Sequence, residues 1–319
     1  MESLPVDVLI PTYNPGAEHL KTALDSLKNQ TYPHWKAFIH DESDAADVRA
    51  IIAPYLADPR FTFRVSDRRL GIGGNWNACL KATSAPVVAY LFHDDEWHPE
   101  YLTRAVDVLL KFPKIGLVSM GHTYRIEGNI VTGDEYRALQ QWKETHLKTG
   151  PYSGREFLSQ WIEQGLRPNI IGEPSFCVLR RSVIDQAGLW NETMPQALDA
   201  EYWVRILSLA DWYYVAEDSG RFLVHEEGTT AVNRREGRGL FDRFRILQEL
   251  IDRLPAGLER NAAKRAQVRQ FREMAEKYFQ KRGRGDTIRF GGGGVLKQFA
   301  LRHPFVSMGV IVRHWFARA

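Results

Sequence analysis

Along the first hundred residues, short apolar runs alternate with longer stretches in which apolar positions recur every three or four residues. VDVLI at 6–10, WKAFIHDES at 35–43, FTFRVSD at 61–67 and VVAYLFHDDE at 87–96 each hold a run of strand-forming residues. Between them, AEHLKTALDSLKNQT sets Leu20, Ala23, Leu24 and Leu27 at helical spacing. DVRAIIAPYLAD reads as a second helix, and GIGGNWNACLKATS as a glycine-rich turn running into a third. This alternation predicts an α/β fold, a mostly parallel twisted sheet flanked by helices. Sites in such sheets gather at the carboxyl ends of the strands, and the loops after the first, second and fourth strands all carry polar residues.

The later chain continues less regularly. IGLVSMGHTYRIEGNIVTG reads as a strand pair turning at 127–129, and GREFLSQWIEQG as a helix. PSFCVLRRSVIDQAGLWNE predicts a strand and a short helix closing on Gly188. ALDAEYWVRILSLA is a helix with Asp199 and Glu201 at its start, and WYYVAEDSGRFLVHEEGTT holds one or two strands ending at His225.

The fourth strand raises a chemical question. Val87, Val88, Ala89, Tyr90, Leu91 and Phe92 form a buried-strand pattern after Pro86, and Asp94 and Asp95 follow it, ahead of a helix opened by Pro99. Adjacent carboxylates repel each other unless a cation or a proton relieves them. Taken alone, the pair reads as a solvated turn with an aspartate N-cap.

Composition bounds the class. Apolar residues make up 44% and charged residues 25% of 319, an ordinary soluble balance in a chain long enough for one large domain with an appendage. Two cysteines, Cys79 and Cys177, imply no disulfide framework and point to a reducing compartment. The start, MESLPVDVLIPTYN, lacks the basic and apolar regions of a secretory signal, and no apolar run approaches the ~18–20 residues that span a bilayer. The expected location is cytoplasmic.

The net charge of +3 conceals an asymmetry: residues 1–233 carry 22 Lys+Arg against 31 Asp+Glu, and residues 234–319 carry 20 against 8. Two regions are expected on that basis, a body (1–233) and a basic helical extension (234–319). In the extension, Leu240, Phe241, Phe244, Leu247, Leu250 and Ile251 share one helical face, and Val268, Phe271, Met274 and Tyr278 repeat the pattern. After a glycine hinge at 291–294, the last segment mixes apolar and cationic residues, with Trp315 and Phe316 near its end. Such a tail predicts contact with an anionic membrane surface, although the same stripes would also serve to pack on the body. No nucleic-acid motif accompanies the charge, and nucleic acid is not an expected partner.

VLIPTYNPG, IHDESD, GIGGNWNACLKA, LFHDDEWHPEYL and ALDAEYWVRI occur in this order and in register with the predicted elements. Together they resemble glycosyltransferase family 2, over roughly residues 5–230. The resemblance implies a GT-A fold and an inverting, nucleotide-sugar-dependent enzyme. Pro11, Thr12, Tyr13 and Asn14 would border the nucleotide, and a tyrosine there can stack on a base. Asp41 matches the second aspartate of a DDGS motif that accepts a hydrogen bond from uracil, with His40 and Glu42 in place of its first aspartate and its glycine. Arg69, next to Arg68, and the backbone N–H groups of the glycine-rich turn would face phosphate. A dinucleotide fingerprint fails as a rival because the turn follows the third strand and its spacing is not G-x-G-x-x-G. Asn77 matches the family's asparagine in the next helix.

FHDD resembles the family's DxD element, with Asp94 as its second aspartate and Phe92 where the first would stand. Asp94, Asp95 and His225 are then the implied ligands of a divalent metal, manganese or magnesium, ions that favour carboxylate oxygen. Asp199 matches the aspartate that acts as general base, with Leu198 replacing the preceding acid. A single in-line displacement needs one such carboxylate opposite the leaving group. Glu173, in GEPS, and Glu201 are expected on the acceptor side.

The implied function is transfer of a sugar from a UDP or dTDP donor to a hydroxyl of a glycan or lipid-linked acceptor. The implied setting is bacterial surface polysaccharide synthesis, on the inner face of the plasma membrane. Two rivals stand beside it. A sugar nucleotidyltransferase would want a basic residue in its first loop, which PTYNPG lacks. A non-catalytic nucleotide-sugar-binding module is motivated by Phe92 and Leu198 standing where acids would be.

Overall fold

The computed structural model describes residues 3–128, 133–236, 238–239, 241–283, 293–304 and 306–308. Three strands, β1 (Val6–Thr12), β2 (Trp35–Asp41) and β3 (Phe61–Val65), are joined by α1 (Ala17–Lys28) and the short α2 (Val48–Ile52). α3 (Ile72–Lys81) leads into β4 (Val87–Tyr90). These strands pair in parallel in the order β3-β2-β1-β4. β5 (Glu96–Trp97), α4 (Tyr101–Lys111), β6 (Ile115–Met120) and β7 (Thr123–Ile126) follow. Next come α5 (Gly133–His146), β8 (Gly150–Tyr152), α6 (Gly154–Glu163), β9 (Cys177–Arg180) and α7 (Arg181–Ala187). α8 (Leu198–Leu209), β10 (Asp211–Val215) and β11 (Gly220–Val224) complete the sheets. The chain continues through α9 (Thr229–Glu236), α10 (Asp242–Arg253), α11 (Leu258–Gly283) and α12 (Gly293–Arg302).

The main sheet has the order β3-β2-β1-β4-β9-β6-β10-β8, mostly parallel, with β9 antiparallel between β4 and β6 and β8 antiparallel to β10 at one edge. β5, β11 and β7 form a smaller second sheet. Every residue of β1 is buried because helices cover both faces: Leu9 points into one apolar layer, and Val8 and Ile10 into the other. Both cysteines are free and buried.

The stretch expected as one strand ahead of the turn at 127–129 is two strands, and the partner expected after the turn lies outside the described residues. β6 and β7 lie in different sheets, β6 parallel to β10 and β7 parallel to β11. Gly121 makes the switch: its N–H bonds the Val215 carbonyl at 2.6 Å, and a Cβ there would stand 2.6 Å from the Ala216 carbonyl oxygen. The turn expected at 127–129 falls partly outside the described residues.

The apolar stripe of α10 faces inward. Ile246, Leu247 and Ile251, with Ala262, Ala263 and Ala266 of α11, belong to the same core as Leu9 and Trp203. Phe244, Phe271 and Phe299 form an adjoining cluster that seats α12. Two of the four hinge glycines open α12. Leu240, Trp315, Phe316 and the side chain of Tyr278 lie outside the described residues. No helix among the described residues is long and apolar enough to cross a membrane.

Leu247→Ala removes a fully buried side chain and should cost about 2–5 kcal/mol in chemical denaturation. An unchanged midpoint and slope would show that α10 is not part of the core.

Candidate active site

The parallel strands bring their carboxyl ends to one edge, with Thr12 of β1 in register with Asp41 of β2. The Thr12 hydroxyl donates to Asp41 Oδ1 at 2.9 Å, and the same oxygen accepts the Ser43 N–H at 3.1 Å and the Ser43 hydroxyl at 2.6 Å. Asp41 Oδ2 receives no protein donor among the described residues, which leaves it for a ligand. Pro11 is buried inside β1. Arg69 covers one face of the Tyr13 ring, its guanidinium 3.7 Å from the centroid, and donates to the Tyr13 hydroxyl at 2.6 Å. Asn14 is left-handed (φ 44°), a conformation asparagine tolerates. Its amide oxygen accepts the N–H groups of Asp44, Ala45 and Ala46 at 3.0–3.2 Å, so it shapes the neighbouring loop rather than reaching outward.

The glycine-rich turn is occupied from within. Glu42 accepts the N–H of Leu70 at 2.6 Å and of Gly71 at 3.1 Å, taking two backbone donors that the sequence offered to phosphate. A Cβ at Gly74 would meet Leu70 Cβ at 2.8 Å, and one at Gly73 would meet the Glu192 backbone at 3.0 Å. These glycines permit close packing. His40 stands 2.7 Å from the Asn75 side chain, whose Nδ2 donates to the Thr12 carbonyl at 3.0 Å, stitching α3 to β1 and β2.

Asp94 and Asp95 differ sharply. Asp94 Oδ2 lies 3.2 Å from His225 Nε2. Burial works to raise its carboxyl, but His93 and His225 hold it below the ordinary value, and the same contact raises His225. Asp95 is 1% exposed; its Oδ1 accepts the Leu223 N–H at 3.1 Å, and its Oδ2 is buried with no partner at hydrogen-bond distance among the described residues. Burial, then the Asp94 charge, push the Asp95 carboxyl well above its ordinary value. Burial and the Asp94 charge both favour the protonated form of the inner aspartate.

Among the described residues, no three His, Cys, Asp or Glu side chains are grouped to hold a metal ion, so the triad of Asp94, Asp95 and His225 is not formed. Asp94 and His225 together offer a carboxylate and an imidazole, both donors that manganese accepts, and would fit such a cation. Asp95 does not fit, because its one free oxygen faces the interior.

Asp199 sits in the first turn of α8, where the helix dipole favours an acid. Its Oδ2 accepts the Asn169 amide at 2.6 Å, and its Oδ1 accepts the Ala200 N–H at 2.7 Å. Burial pushes the carboxyl up to about 6, opposed by the Ala200 bond and the Arg243 charge. Glu173 is near both aspartates, for its charge acts on Asp95 and on Asp199. Its Oε2 is 3.0 Å from His122 Nε2, and the Tyr124 hydroxyl donates to Oε1 at 3.3 Å. Burial opposes its ionisation, yet His122 and Lys143 hold it below the ordinary value. Lys143 is buried, with its ammonium pushed down by desolvation. Gly172 makes room for it at φ 108°, where a Cβ would stand 3.2 Å from Nζ.

Two residues expected at the site point elsewhere. Asn77 is 1% exposed, bonds the Trp190 backbone through both ends of its amide, and also donates to Glu192. It fastens α3 to the 190–192 loop and faces no nucleotide. Glu201 forms a two-pronged pair with Arg205 at 2.8 and 2.7 Å, and Arg205 also bonds the Ala187 and Leu189 carbonyls. One helical turn separates Glu201 from Arg205, and the pair ties α8 to α7. Conversely, His122, Lys143, Asn169 and Arg243 converge on the site without having been singled out. Their role depends on partners far away in the chain, and no local pattern marks them.

A mixed sheet with helices on both faces and acids at its carboxyl edge has the architecture of the GT-A fold. The family model Glycosyl transferase family 2 matches residues 7–186, more than half of the chain, and the chain belongs to that family. An uncharacterized protein of Mycobacterium tuberculosis is 26% identical over 265 residues, covering 81% of this chain and 79% of its own. The Escherichia coli enzyme WfgD, UDP-Glc:alpha-D-GlcNAc-diphosphoundecaprenol beta-1,3-glucosyltransferase, is 28% identical over 112 residues, 35% of this chain and 43% of WfgD. Staphylococcus aureus TarS 1-349 in complex with UDP-GlcNAc shares the fold with a TM-score of 0.61 at 14% identity, covering 86% of this chain and 71% of that one. The mannosyltransferase PcManGT of Pyrobaculum calidifontis, in complex with GDP-Man and Mn2+, does so with a TM-score of 0.57 at 16% identity, covering 98% and 85%.

Asn77→Ala leaves the Trp190 backbone unpaired and should lower stability by about 1–3 kcal/mol, while the affinity for a nucleoside diphosphate stays unchanged in calorimetry. Loss of nucleotide affinity with full stability would return Asn77 to the donor site.

Proposed function

We propose that the chain is an inverting glycosyltransferase that passes a sugar from a UDP or dTDP donor to a hydroxyl of a glycan or lipid-linked acceptor. The observation that carries this reading is Asp199, a carboxylate oriented by Asn169 and raised to about 6, with the charge of Glu173 acting both on it and on Asp95 beside the Asp94–His225 pair. Asp41 Oδ2 accepts the ring N–H of uracil or thymine, beside Tyr13 and Arg69. Asp94 and His225 would hold a divalent metal, which when bound offsets the charge gathering on the departing diphosphate. Asp199 takes the proton of the acceptor hydroxyl as that oxygen bonds to the anomeric carbon. The bond from this carbon to the diphosphate oxygen breaks on the opposite face, and the configuration inverts. Glu173, fixed by His122 and flanked by Lys143, is placed to hold sugar hydroxyls.

WfgD's name specifies a lipid-linked acceptor, which supports the same class here and a place in bacterial surface polysaccharide synthesis. Leu301 and Met308 are 73% and 59% exposed, near Lys297 and Arg302. This supports contact with an anionic leaflet on the cytoplasmic side.

Two measurements test the reading. Thermal shift with UDP, dTDP, GDP and CMP, each with and without manganese, should show one nucleoside diphosphate stabilising only with metal, and Asp94→Asn should remove that shift. Stabilisation by none would end the donor assignment. Asp199→Asn should lower kcat about 10²–10⁴-fold and leave nucleotide affinity intact. Because the base acts as the carboxylate, wild-type kcat/KM should fall as pH drops below about 6 and level off above it. A carboxyl raised on folding contributes stability at low pH that is lost as pH rises past about 6. Asp199→Asn should therefore melt no lower than wild type above neutral pH. Unchanged transfer by Asp199→Asn would remove Asp199 as the base, and nucleotide binding with no transfer by wild type would leave a nucleotide-sugar-binding module.

A further inference from the structure

Asp199 has cationic neighbours that the transfer step does not use. Arg243, on α10, is half-buried and, among the described residues, donates only its Nε, to the Leu166 carbonyl at 3.0 Å. Its two terminal nitrogens meet no acceptor among the described residues. Leu166 begins the 166–169 segment that ends on Asn169, the partner of Asp199, so Arg243 and Asp199 are tied to opposite ends of one short loop. Arg167, the next residue in that loop, is exposed. Arg234, on α9, reaches the same region and bonds Glu135 of α5 through two contacts at 2.5 and 3.2 Å. The charges of Arg234, Arg167 and Arg243 all act on Glu135. Burial, then repulsion by Arg167, bring Arg243 down to about 10, and Arg234 adds to that repulsion. Only Asp199 and Asp242 oppose it, and Asp242 is already committed to the N–H groups of Gln196 and Ala197.

Three guanidinium groups gathered at a partly desolvated place repel one another, and a doubly charged oxyanion relieves them better than one carboxylate does. Guanidinium also matches phosphate geometry with paired N–H donors. Glu135 shows the mode, since its two oxygens already lie across the Arg234 fork.

We propose that Arg167, Arg234 and Arg243 form a phosphoryl-binding site on the acceptor side of Asp199, so that the acceptor presents its reacting hydroxyl together with a phosphate or diphosphate. The proposal rests on the reading of Asp199 as the base that faces the acceptor. The phosphate belongs either to a lipid diphosphate or to a non-lipid phosphoester, and the test separates these.

Calorimetric titration of the full chain uses inorganic pyrophosphate in EDTA, farnesyl diphosphate and farnesol in detergent micelles, and UDP with manganese. Wild type should bind pyrophosphate and farnesyl diphosphate without metal. Arg243→Gln, and independently the exposed and therefore fold-neutral Arg167→Gln, should weaken both at least about tenfold while UDP affinity is kept. Asp94→Asn should do the reverse. Farnesyl diphosphate binding as well as or better than pyrophosphate identifies the lipid source; weaker binding upholds the site with a non-lipid phosphate. Absence of pyrophosphate binding to wild type, binding untouched in both arginine variants, loss only in Asp94→Asn, or farnesol binding as tightly as its diphosphate would each overturn the proposal. UDP failing to bind while pyrophosphate does would instead sink the donor reading and leave the arginine site standing.

Discussion

Ser175 joins three parts of the molecule at one buried point. Its hydroxyl accepts the Phe92 N–H at 2.9 Å, and its carbonyl accepts the Trp97 indole N–H at 2.7 Å and the Tyr101 hydroxyl at 3.1 Å. Phe92 begins the turn that carries Asp94, Trp97 belongs to the small sheet, and Tyr101 opens α4. Ser175 itself stands between Glu173 and β9, the antiparallel strand that bridges the two parallel halves of the main sheet. Ser175, Trp97 and Tyr101 are buried and Phe92 is half-buried, so a group left unpaired here would carry a desolvation cost. The Asp94 turn and Glu173 therefore have little freedom to move apart, and the spacing of acids along the edge is fixed by the core beneath it.

That spacing makes the electrostatics of the edge differential. Asp94, Asp95, Glu173 and Asp199 could not all be ionised in one partly buried place without strong repulsion. Asp94 and Glu173 each have an imidazole within about hydrogen-bond range, 3.2 and 3.0 Å, and are held low; Asp95 and Asp199 have none and are raised. Asp95 is sealed, and its burial favours the protonated form. Asp199 is only partly covered, and a carboxyl near 6 there titrates where a base is useful.

Much of the frame was legible in the chain. The order of the first strands and helices follows from apolar periodicity, and the placement of Thr12, Asp41 and Asp94 at one edge follows from parallel pairing. The failures share one cause. The glycine-rich turn suggested phosphate, but Glu42, from a different loop, already fills its backbone donors. Asn77 and Glu201 matched in type and position, yet Trp190 and Arg205 had claimed them. Gly121 sends β7 to another sheet because β10, almost a hundred residues later, presses on it. In each case a partner distant in sequence decided the role of a side chain, and local pattern carries no information about such partners.

The same reasoning explains why the basic extension cannot be understood as a tail alone. Leu166 is fully buried with φ 60°, a left-handed conformation that costs a bulky residue about 1–3 kcal/mol. It persists because its surroundings over-determine it. The Leu166 N–H bonds the Trp161 carbonyl at 2.8 Å, Arg243 of α10 bonds its carbonyl, and Gln270 of α11 bonds the Gly165 carbonyl at 2.8 Å. Two of these three restraints come from the extension. Asn169, which orients Asp199, is three residues downstream of the strained position, so the geometry of the proposed base depends on helices well beyond the family match at residues 7–186. The matched region contains the proposed donor-side loops, while two of the three restraints on the loop before Asn169 come from later residues. An excess of positive charge that reads as a membrane signal in the sequence therefore also works inside the fold, where Arg243 holds the loop in a conformation it would not adopt alone.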